Sequence, residues 1–401
     1  MKPIYFDNNA TTACDPAVVE AMLPFFTEQF GNASSMHRFG NQVGSAIKTA
    51  RGQIQALLGA EHDSEIIFTS CGTESDNTAI LSALRAQPER RELITTAVEH
   101  PAILALCEQL EKDGYTIHRL GVDKRGRLDM EEYRAKLSER VAIVSVMWAN
   151  NETGTIFPVE EIAEYAHEVG TLFHTDAVQA VGKIEISLKR TKIDMLSLSG
   201  HKLHAPKGIG VLYLRRGTRY RPLMRGGHQE RGRRPGTENA PSIVGLGRAA
   251  ELAMANIRAE NEEVRFLRDK LERGILARVP NAFPTGDLNC RLPNTSNIAF
   301  EFVEGEAILL LLNKLGIAAS SGSACTSGSL EPSHVMRAMG IPYTAAHGTI
   351  RFSLSRYNTL EEVDRVIEEL PQIIAQLRRL SPYWNEANNA PAETCFAPAY
   401  G

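Results

Sequence analysis

An α/β protein, with a mostly parallel sheet followed by a smaller α+β unit, is the fold class that this 401-residue chain predicts, and three observations carry it. Between about residues 60 and 215, short apolar runs alternate with amphipathic stretches, the rhythm of strand and helix in a parallel sheet. A long amphipathic stretch of Ala, Glu, Leu and Arg then runs from Ser242 to Val279. Beyond it, strand and helix patterns resume on a smaller scale.

Element by element, Glu65 to Thr69, Val141 to Trp148, Thr171 to His174, Asp194 to Leu198 and Gly210 to Leu214 read as strands. Val159 to Val169 carries apolar residues at helical spacing behind Pro158, which makes it a crossover helix. Ser242 to Val279 reads as one or two helices leading into the second unit. There, Ile298 to Phe302 and Thr349 to Leu354 are strands, and Glu306 to Lys314 and Leu360 to Leu380 are helices. The tail after Pro382 has too few apolar residues to pack and is expected on the surface.

The totals bound the function. Length exceeds the prior of roughly 100 to 200 residues per domain, so two domains are expected. A composition 43% hydrophobic and 23% charged is that of an ordinary globular protein. With a net charge of -4 there is no global attraction to nucleic acid or anionic lipid, and small molecules are the default partners. No apolar run is long enough for a signal peptide or a membrane span, which predicts a cytoplasmic protein. Cys14, Cys71, Cys107, Cys290, Cys325 and Cys395 form no Cys-x-x-Cys pair and are expected as free thiols.

Chemistry concentrates at strand ends, where parallel sheets bind ligands. In Ser197-Leu198-Ser199-Gly200-His201-Lys202, an amine follows an apolar strand by way of small hydrogen-bonding residues. Such a lysine loses its proton more readily than a solvated one and can form a Schiff base with an aldehyde, while Ser199 and His201 offer donors to an anion. Taken alone, the hexapeptide reads equally as a surface lysine after a strand. Asp176 and Gln179 lie just past another strand; against a pyridine ring the acid would hold the ring nitrogen protonated and the amide would donate to a phenolic oxygen. Alone, Asp176 reads as a helix N-cap.

A third strand end, Ser70-Cys71-Gly72-Thr73-Glu74-Ser75, aims backbone N–H groups, a hydroxyl and a helix dipole at an anion, with a plain capping box as the alternative or companion reading. His100 in Glu99-His100-Pro101 offers an imidazole that could stack on a flat ring, or a structural histidine. Asn150 and Asn151 end a strand in amides that suit a carboxylate or ring oxygen, or simply make a turn.

Cys325 sits in a run of small residues, Ala318 to Ser329, where nothing is bulky enough to bury a thiol. That favours a reactive over a structural cysteine. Arg351 alternates with Ile350 and Phe352, so it shares a strand face with Ser353, and its planar fork suits bidentate capture of an α-carboxylate; the alternative is a surface arginine.

Together with Tyr5-Phe6-Asp7-Asn8-Asn9-Ala10-Thr11-Thr12, the lysine segment and the Ser320 to Cys325 loop make the chain resemble the fold-type-I pyridoxal-phosphate enzymes, and among them the cysteine desulfurases of the NifS kind, over almost its whole length. The resemblance implies a large domain (15–260) built on a seven-stranded, mostly parallel sheet, a small domain (1–14 and 261–381) bearing the cysteine loop at about 320–330, and a tail, 382–401. It implies that Lys202 carries pyridoxal 5'-phosphate, that Asp176 pairs with the pyridine nitrogen and Gln179 with the phenolic oxygen, and that His100 stacks on the ring. Gly72, Thr73, Ser199 and His201 match phosphate-binding positions, and Thr237 matches a threonine that reaches the phosphate from a neighbouring subunit, which implies a homodimer. Asn151 and Arg351 match the residues that grip the substrate carboxylate, and Cys325 the persulfide cysteine.

The implied reaction turns L-cysteine into L-alanine, with Lys202 as general base, Cys325 taking the sulfur and His100 helping proton traffic. The chain looks closer to the nitrogenase-associated branch of the family, which implies a NifU-like iron-sulfur scaffold as sulfur acceptor, and a transient iron-sulfur contact at Cys325 during delivery is a further reading. Rival readings are a housekeeping desulfurase, a selenocysteine lyase or aminotransferase sharing Lys202 and Asp176, and a nucleic-acid binder using the arginines of Arg225 to Arg234. That last loop lacks interleaved aromatics in an acidic protein, and His201 with His204 lacks the spacing of metal ligands on one helix face. No nucleic-acid or membrane partner is therefore expected.

Overall fold

A computed structural model describes residues 3–321, 331–385 and 390–392. After β1 (Ile4–Tyr5) come the strands of the main sheet: β2 (Ile66–Thr69), β3 (Glu92–Thr96), β4 (Thr116–Leu120), β5 (Val141–Ser145), β6 (Leu172–Asp176), β7 (Met195–Ser199) and β8 (Gly210–Leu214). Their order is β2-β8-β7-β6-β5-β3-β4, and only β8 runs against its neighbours. β5, β7 and β8 are buried on both faces, which is why they read as near-continuous apolar runs.

Helices cover both faces. On one, Ala79, Ile80 and Ala83 of the helix Gly72–Ala86 and Ile103, Cys107 and Leu110 of Pro101–Lys112 pack on Ile67, Leu93, Ile143 and Leu212. On the other, Arg38–Leu58 and Val159–Glu168 bury Ile47, Ile54, Ile162 and Ala166 against Phe68, Val144 and Leu196. The parallel strands β2, β3, β5, β6 and β7 thus present their carboxyl ends along one edge.

The smaller unit holds β9 (Ala282–Pro284), β10 (Thr295–Phe300), β11 (Ile317–Ala318) and β12 (Thr349–Ser353), with a three-stranded antiparallel sheet in the order β12-β10-β9. β1 pairs in parallel with β11, and the Phe6 carbonyl accepts from the Ser353 N–H at 2.8 Å, so the N-terminal segment is stitched onto this sheet. The helix Leu360–Leu380 starts in a capping box of Thr359 and Glu362 and buries Val363, Val366, Leu370 and Ile374 against Ile298, Phe300 and Phe352.

The stretch expected as one or two helices is a single 37-residue helix, Ala240–Leu276, capped by Asn239. Its first half packs in the large core through Ile243, Leu246 and Ala253, its second in the small core through Val264, Leu271 and Ile275. Val335, Met336 and Met339 also pack in the large core.

Four elements differ from expectation. The run Val141 to Trp148 is regular only to Ser145; beyond it the backbone still bonds to β6, the Trp148 N–H donating to the Asp176 carbonyl at 2.8 Å. β3 and β4 carried too little apolar periodicity to be singled out, β4 being a partly exposed edge strand. The tail is not wholly unpacked: Trp384 is 9% exposed, stacked under the Arg378 guanidinium at 4.2 Å.

Candidate active site

A cavity of about 270 Å³ opens at the carboxyl edge of the main sheet, lined among others by Gly72, Thr73, His100, Asn151, Asp176, Gln179, Ser199, His201, Lys202 and Arg351. The structure therefore gathers these sequence-predicted residues into one place.

Lys202 ends a short turn, Gly200–Lys202, leaving β7. Gly200 is required there, because a Cβ would meet Ile209 Cγ2 at 2.7 Å. The Lys202 Nζ donates to the carbonyls of Asn9 at 2.6 Å and Ala10 at 2.7 Å. The N-terminal segment thus walls the cavity, tied down by the Thr12 N–H to the His201 carbonyl at 2.9 Å and by His201 Nδ1 to Thr11 Oγ1 at 3.1 Å. His204 follows in the left-handed region, held by its N–H to Thr12 Oγ1 and its Nδ1 to the Ala13 carbonyl. Burial lowers His201 to about 4, so it meets the cavity as a neutral hydrogen-bonding ring.

Asp176 ends β6, beside β7. Its Oδ1 accepts from the Val178 N–H at 2.9 Å in a turn rather than capping a helix. Below it His174 is clamped between the Ser145 and Ser197 hydroxyls, both at 2.9 Å, and burial drives it down to about 3. Asp76 also faces the cavity; burial and the nearby Asp176 raise it well above the carboxylate range, and its Oδ1 has no hydrogen-bond partner among the described residues. Burial pushes Glu99 up to about 8 against bonds from Thr96 and Met147. Burial raises Asp176 too, opposed by the Val178 N–H, His100 and Lys202. A cation set against Asp176 would restore its charge, and this fits a protonated pyridine nitrogen.

The helix Gly72–Ala86 points its N-terminus into the cavity, with Cys71 as N-cap but no side-chain cap bond. No capping box forms: Glu74 accepts from the N–H of Ser70, the residue before the N-cap, at 2.7 Å and pairs with Arg234 at 2.9 Å. The first-turn N–H groups, Thr73, Ser199 and His201 suit a phosphate, and a Cβ on Gly72 would press Val178 Cγ2 at 2.9 Å. The residues present thus fit pyridoxal phosphate, an aldehyde-bearing pyridine with a phosphate arm. His100 serves two roles, lining the cavity and capping the helix Pro101–Lys112 through Nδ1, which accepts from the Ala102 N–H at 3.2 Å. Burial lowers its pKa.

Arg351 arrives from β12. Ile350 and Phe352 are fully buried on the other face, while Arg351 Nη1 donates to the Asn151 carbonyl at 2.9 Å and Nη2 to Asp7 at 2.8 Å. Its buried Nε has no partner among the described residues. Of the paired amides, Asn150 is structural, its Oδ1 accepting from the Glu152 and Thr153 N–H groups, and Asn151 lines the cavity.

Two predicted residues are not in this lining. Thr237 is exposed outside it. Cys325 lies outside the described residues; of the described chain before and after it, Ser320 exchanges two backbone bonds with Arg351, and His334 bonds the Glu99 carbonyl at 2.9 Å. Sequence reasoning missed Asn9, Asp76 and Asp7; the motif Tyr5 to Thr12 contained two of them, without any sign of which residues they would meet. Among the described residues, Cys14, Cys71, Cys107 and Cys290 are free, no group of three or more His, Cys, Asp or Glu could hold a metal, and no helix is long and apolar enough to cross a membrane. Two arginines of the Gly-rich loop are turned inward, Arg234 to Glu74 and Arg233 Nε to the Glu230 carbonyl at 3.1 Å.

A strand-end lysine, an acid on the adjacent strand and a helix N-terminus around one cavity define a fold-type-I enzyme, and the chain belongs to the aminotransferase class-V family, whose model matches residues 4–366. It is similar to "Cysteine desulfurase NifS" of Azotobacter vinelandii, 71% identical over 404 residues with 100% of both chains covered. It is also similar to "Cysteine desulfurase" of Gluconacetobacter diazotrophicus, 69% identical over 401 residues with 100% of both covered. A solved "NIFS-LIKE PROTEIN" superposes with a TM-score of 0.88 at 39% identity, over 94% of this chain and 100% of that one.

Proposed function

We propose that this chain is a pyridoxal-phosphate-dependent cysteine desulfurase that converts L-cysteine to L-alanine and leaves the sulfur as a persulfide on Cys325. The observation that carries the reading is the placement of Lys202 and Asp176 on neighbouring strand ends of one cavity, with the Arg351 fork reaching it from the small sheet. Similarity over the full length to two relatives named as cysteine desulfurases supports the substrate.

Asp176 and Lys202 would hold the cofactor, which when bound would supply an electron sink for the bond broken at the substrate's Cα. The roles of this chain's residues follow from position. Asp176 keeps a positive charge at the ring nitrogen, Gln179 donates to the phenolic oxygen, and Gly72, Thr73, Ser199 and His201 hold the phosphate. Arg351 and Asn151 orient the substrate carboxylate, and Lys202 Nζ takes the Cα proton. His100 flanks the ring and exchanges protons near the leaving sulfur. The Cys325 thiolate attacks the substrate sulfur; the carbon–sulfur bond breaks as the sulfur–sulfur bond forms, its electron pair staying with Cβ, which takes up the proton that the Cys325 thiol gave up, and alanine leaves once Lys202 has returned the other proton to Cα. Cys325 follows Ser320 by five residues, a span of at most about 17 Å, and Ser320 is bonded to Arg351, which lines the cavity.

The same reading makes the enzyme a cytoplasmic homodimer with Thr237 completing the partner's phosphate site. The exposed apolar side chains of Leu23, Phe26, Phe30 and Phe39, the last two with rings 5.8 Å apart, support a second copy that covers them. A NifU-like scaffold, serving nitrogenase maturation, is the acceptor this reading favours, given the similarity to NifS of Azotobacter vinelandii. Cys325→Ala tests the reaction. The variant should keep the visible absorbance of the loaded enzyme and lose alanine formation from cysteine by at least about 100-fold. Retained turnover would move the chain to the aminotransferases or selenocysteine lyases.

A further inference from the structure

A second amine stands behind Lys202. Lys183 follows β6 by seven residues and directs its Nζ inward, donating to Gln179 Oε1 at 2.8 Å and to Asn9 Oδ1 at 3.4 Å. Gln179 in turn donates from Nε2 to the Asn9 carbonyl at 3.0 Å, the same oxygen that receives Lys202 Nζ at 2.6 Å. A small cavity of about 40 Å³, separate from the one described above, is lined by both Lys183 and Lys202, with His204, Glu260 and Arg356 around it.

Resting on the cofactor assignment above, we propose that Lys183 is a positioning residue for the cofactor's phenolic oxygen, fixing the amide of Gln179 by donating to its oxygen so that the nitrogen is the atom presented to the ring. A side-chain amide can turn over, exchanging an acceptor for a donor, at little steric cost. The charged form of Lys183 has only donors and the Asn9 carbonyl only acceptors, so the pair selects one orientation; the turned amide would set its N–H groups against the ammonium and its oxygen against that carbonyl. Of the two hydrogens on Gln179 Nε2, one goes to Asn9, and the other is left for the cavity that Gln179 lines.

The charge on Lys183 acts in the same direction. Burial pushes its amine down to about 7, with Lys202 and Arg351 lowering it further and Glu260 opposing them. Glu260 is itself paired with Arg356 at 2.5 Å, and His204, lowered by burial to about 4, adds no charge near neutrality. A proton on Lys183 therefore disfavours a second positive charge at Lys202, as does a donor on the phenolic oxygen. Losing either should shift the pH at which the visible band of the loaded enzyme titrates to a higher value.

The test compares Lys183→Met, Lys183→Arg, Gln179→Leu and the double variant Lys183→Met with Gln179→Leu, each as purified holoenzyme. The readouts are the pH midpoint of the visible band and the affinity for added pyridoxal phosphate. Lys183→Met should raise the midpoint and weaken pyridoxal phosphate about threefold to tenfold, Lys183→Arg should restore the affinity, and the double variant should bind no more weakly than Gln179→Leu. An unchanged midpoint and affinity in Lys183→Met, or an additive loss of affinity in the double variant, overturns the inference; should Lys183→Met not fold, Lys183→Gln is read by the same two criteria. A wild-type protein with no visible band and no adduct at Lys202 on borohydride reduction would instead overturn the cofactor assignment itself.

Discussion

The floor of the cavity and its substrate side are built in opposite ways. On the floor, Asp176 and Lys202 stand on adjacent strands of a buried parallel sheet, supported by His174 between two hydroxyls. On the substrate side, Arg351 is held by Asp7, 344 residues away, and by the Asn151 carbonyl from a third segment. The floor's geometry is therefore set by the sheet, whereas the arginine's depends on segments from both units meeting correctly. Damage to the floor should cost chemistry, and damage at the junction should cost recognition.

The largest effect is expected at the floor. Lys202→Ala removes both the anchor and the base, and turnover of cysteine should fall by at least about 1000-fold, measured as alanine released. Borohydride should then fix no chromophore at this position. At the junction, Arg351→Lys keeps the charge but loses the fork; the KM for cysteine should rise on the order of tenfold or more, with kcat less affected. Asp7→Asn should move KM in the same direction by a smaller factor. A fall in kcat with unchanged KM in both variants would erase the contrast drawn between the two sides.

The smallest effect concerns stability under the floor. Glu99 rises from its ordinary 4.5 to about 8, chiefly through burial, so between those values the folded protein retains a proton that the unfolded chain releases. Raising the pH through this window favours unfolding, the reverse of a salt-bridged carboxylate. Glu99→Gln should therefore melt higher than the parent at pH 8, by about 2 °C or more, and the gap should close toward pH 4.5. Thermal melts at several pH values check this.

The same contrast explains what the sequence disclosed. Asp176 and Lys202 were legible because an apolar run ending in a polar cluster marks the carboxyl end of a buried strand, and such ends line one edge in a parallel sheet. Leu360 to Leu380 was legible to the residue from its apolar spacing, and the structure adds a capping box that fixes its start. Arg351 could be given a face, from the alternation of Ile350 and Phe352, but not its partner, since nothing local links it to Asp7. Asp76 and Lys183 were hidden for a related reason. Each lies in an ordinary helix or turn, and only burial against sequence-distant charges makes it unusual. β3 and β4 escaped because tertiary packing, rather than local pattern, makes them strands.

The helix Ala240–Leu276 crosses from one hydrophobic core into the other without a break. A rod shared in this way leaves no joint at which one half can melt while the other stays intact, since fraying at Val264 strips the small core and fraying at Leu246 strips the large one. Heat should accordingly take the molecule apart in a single endotherm, and cutting the gene within the rod should yield two fragments, neither able to hold its shape alone.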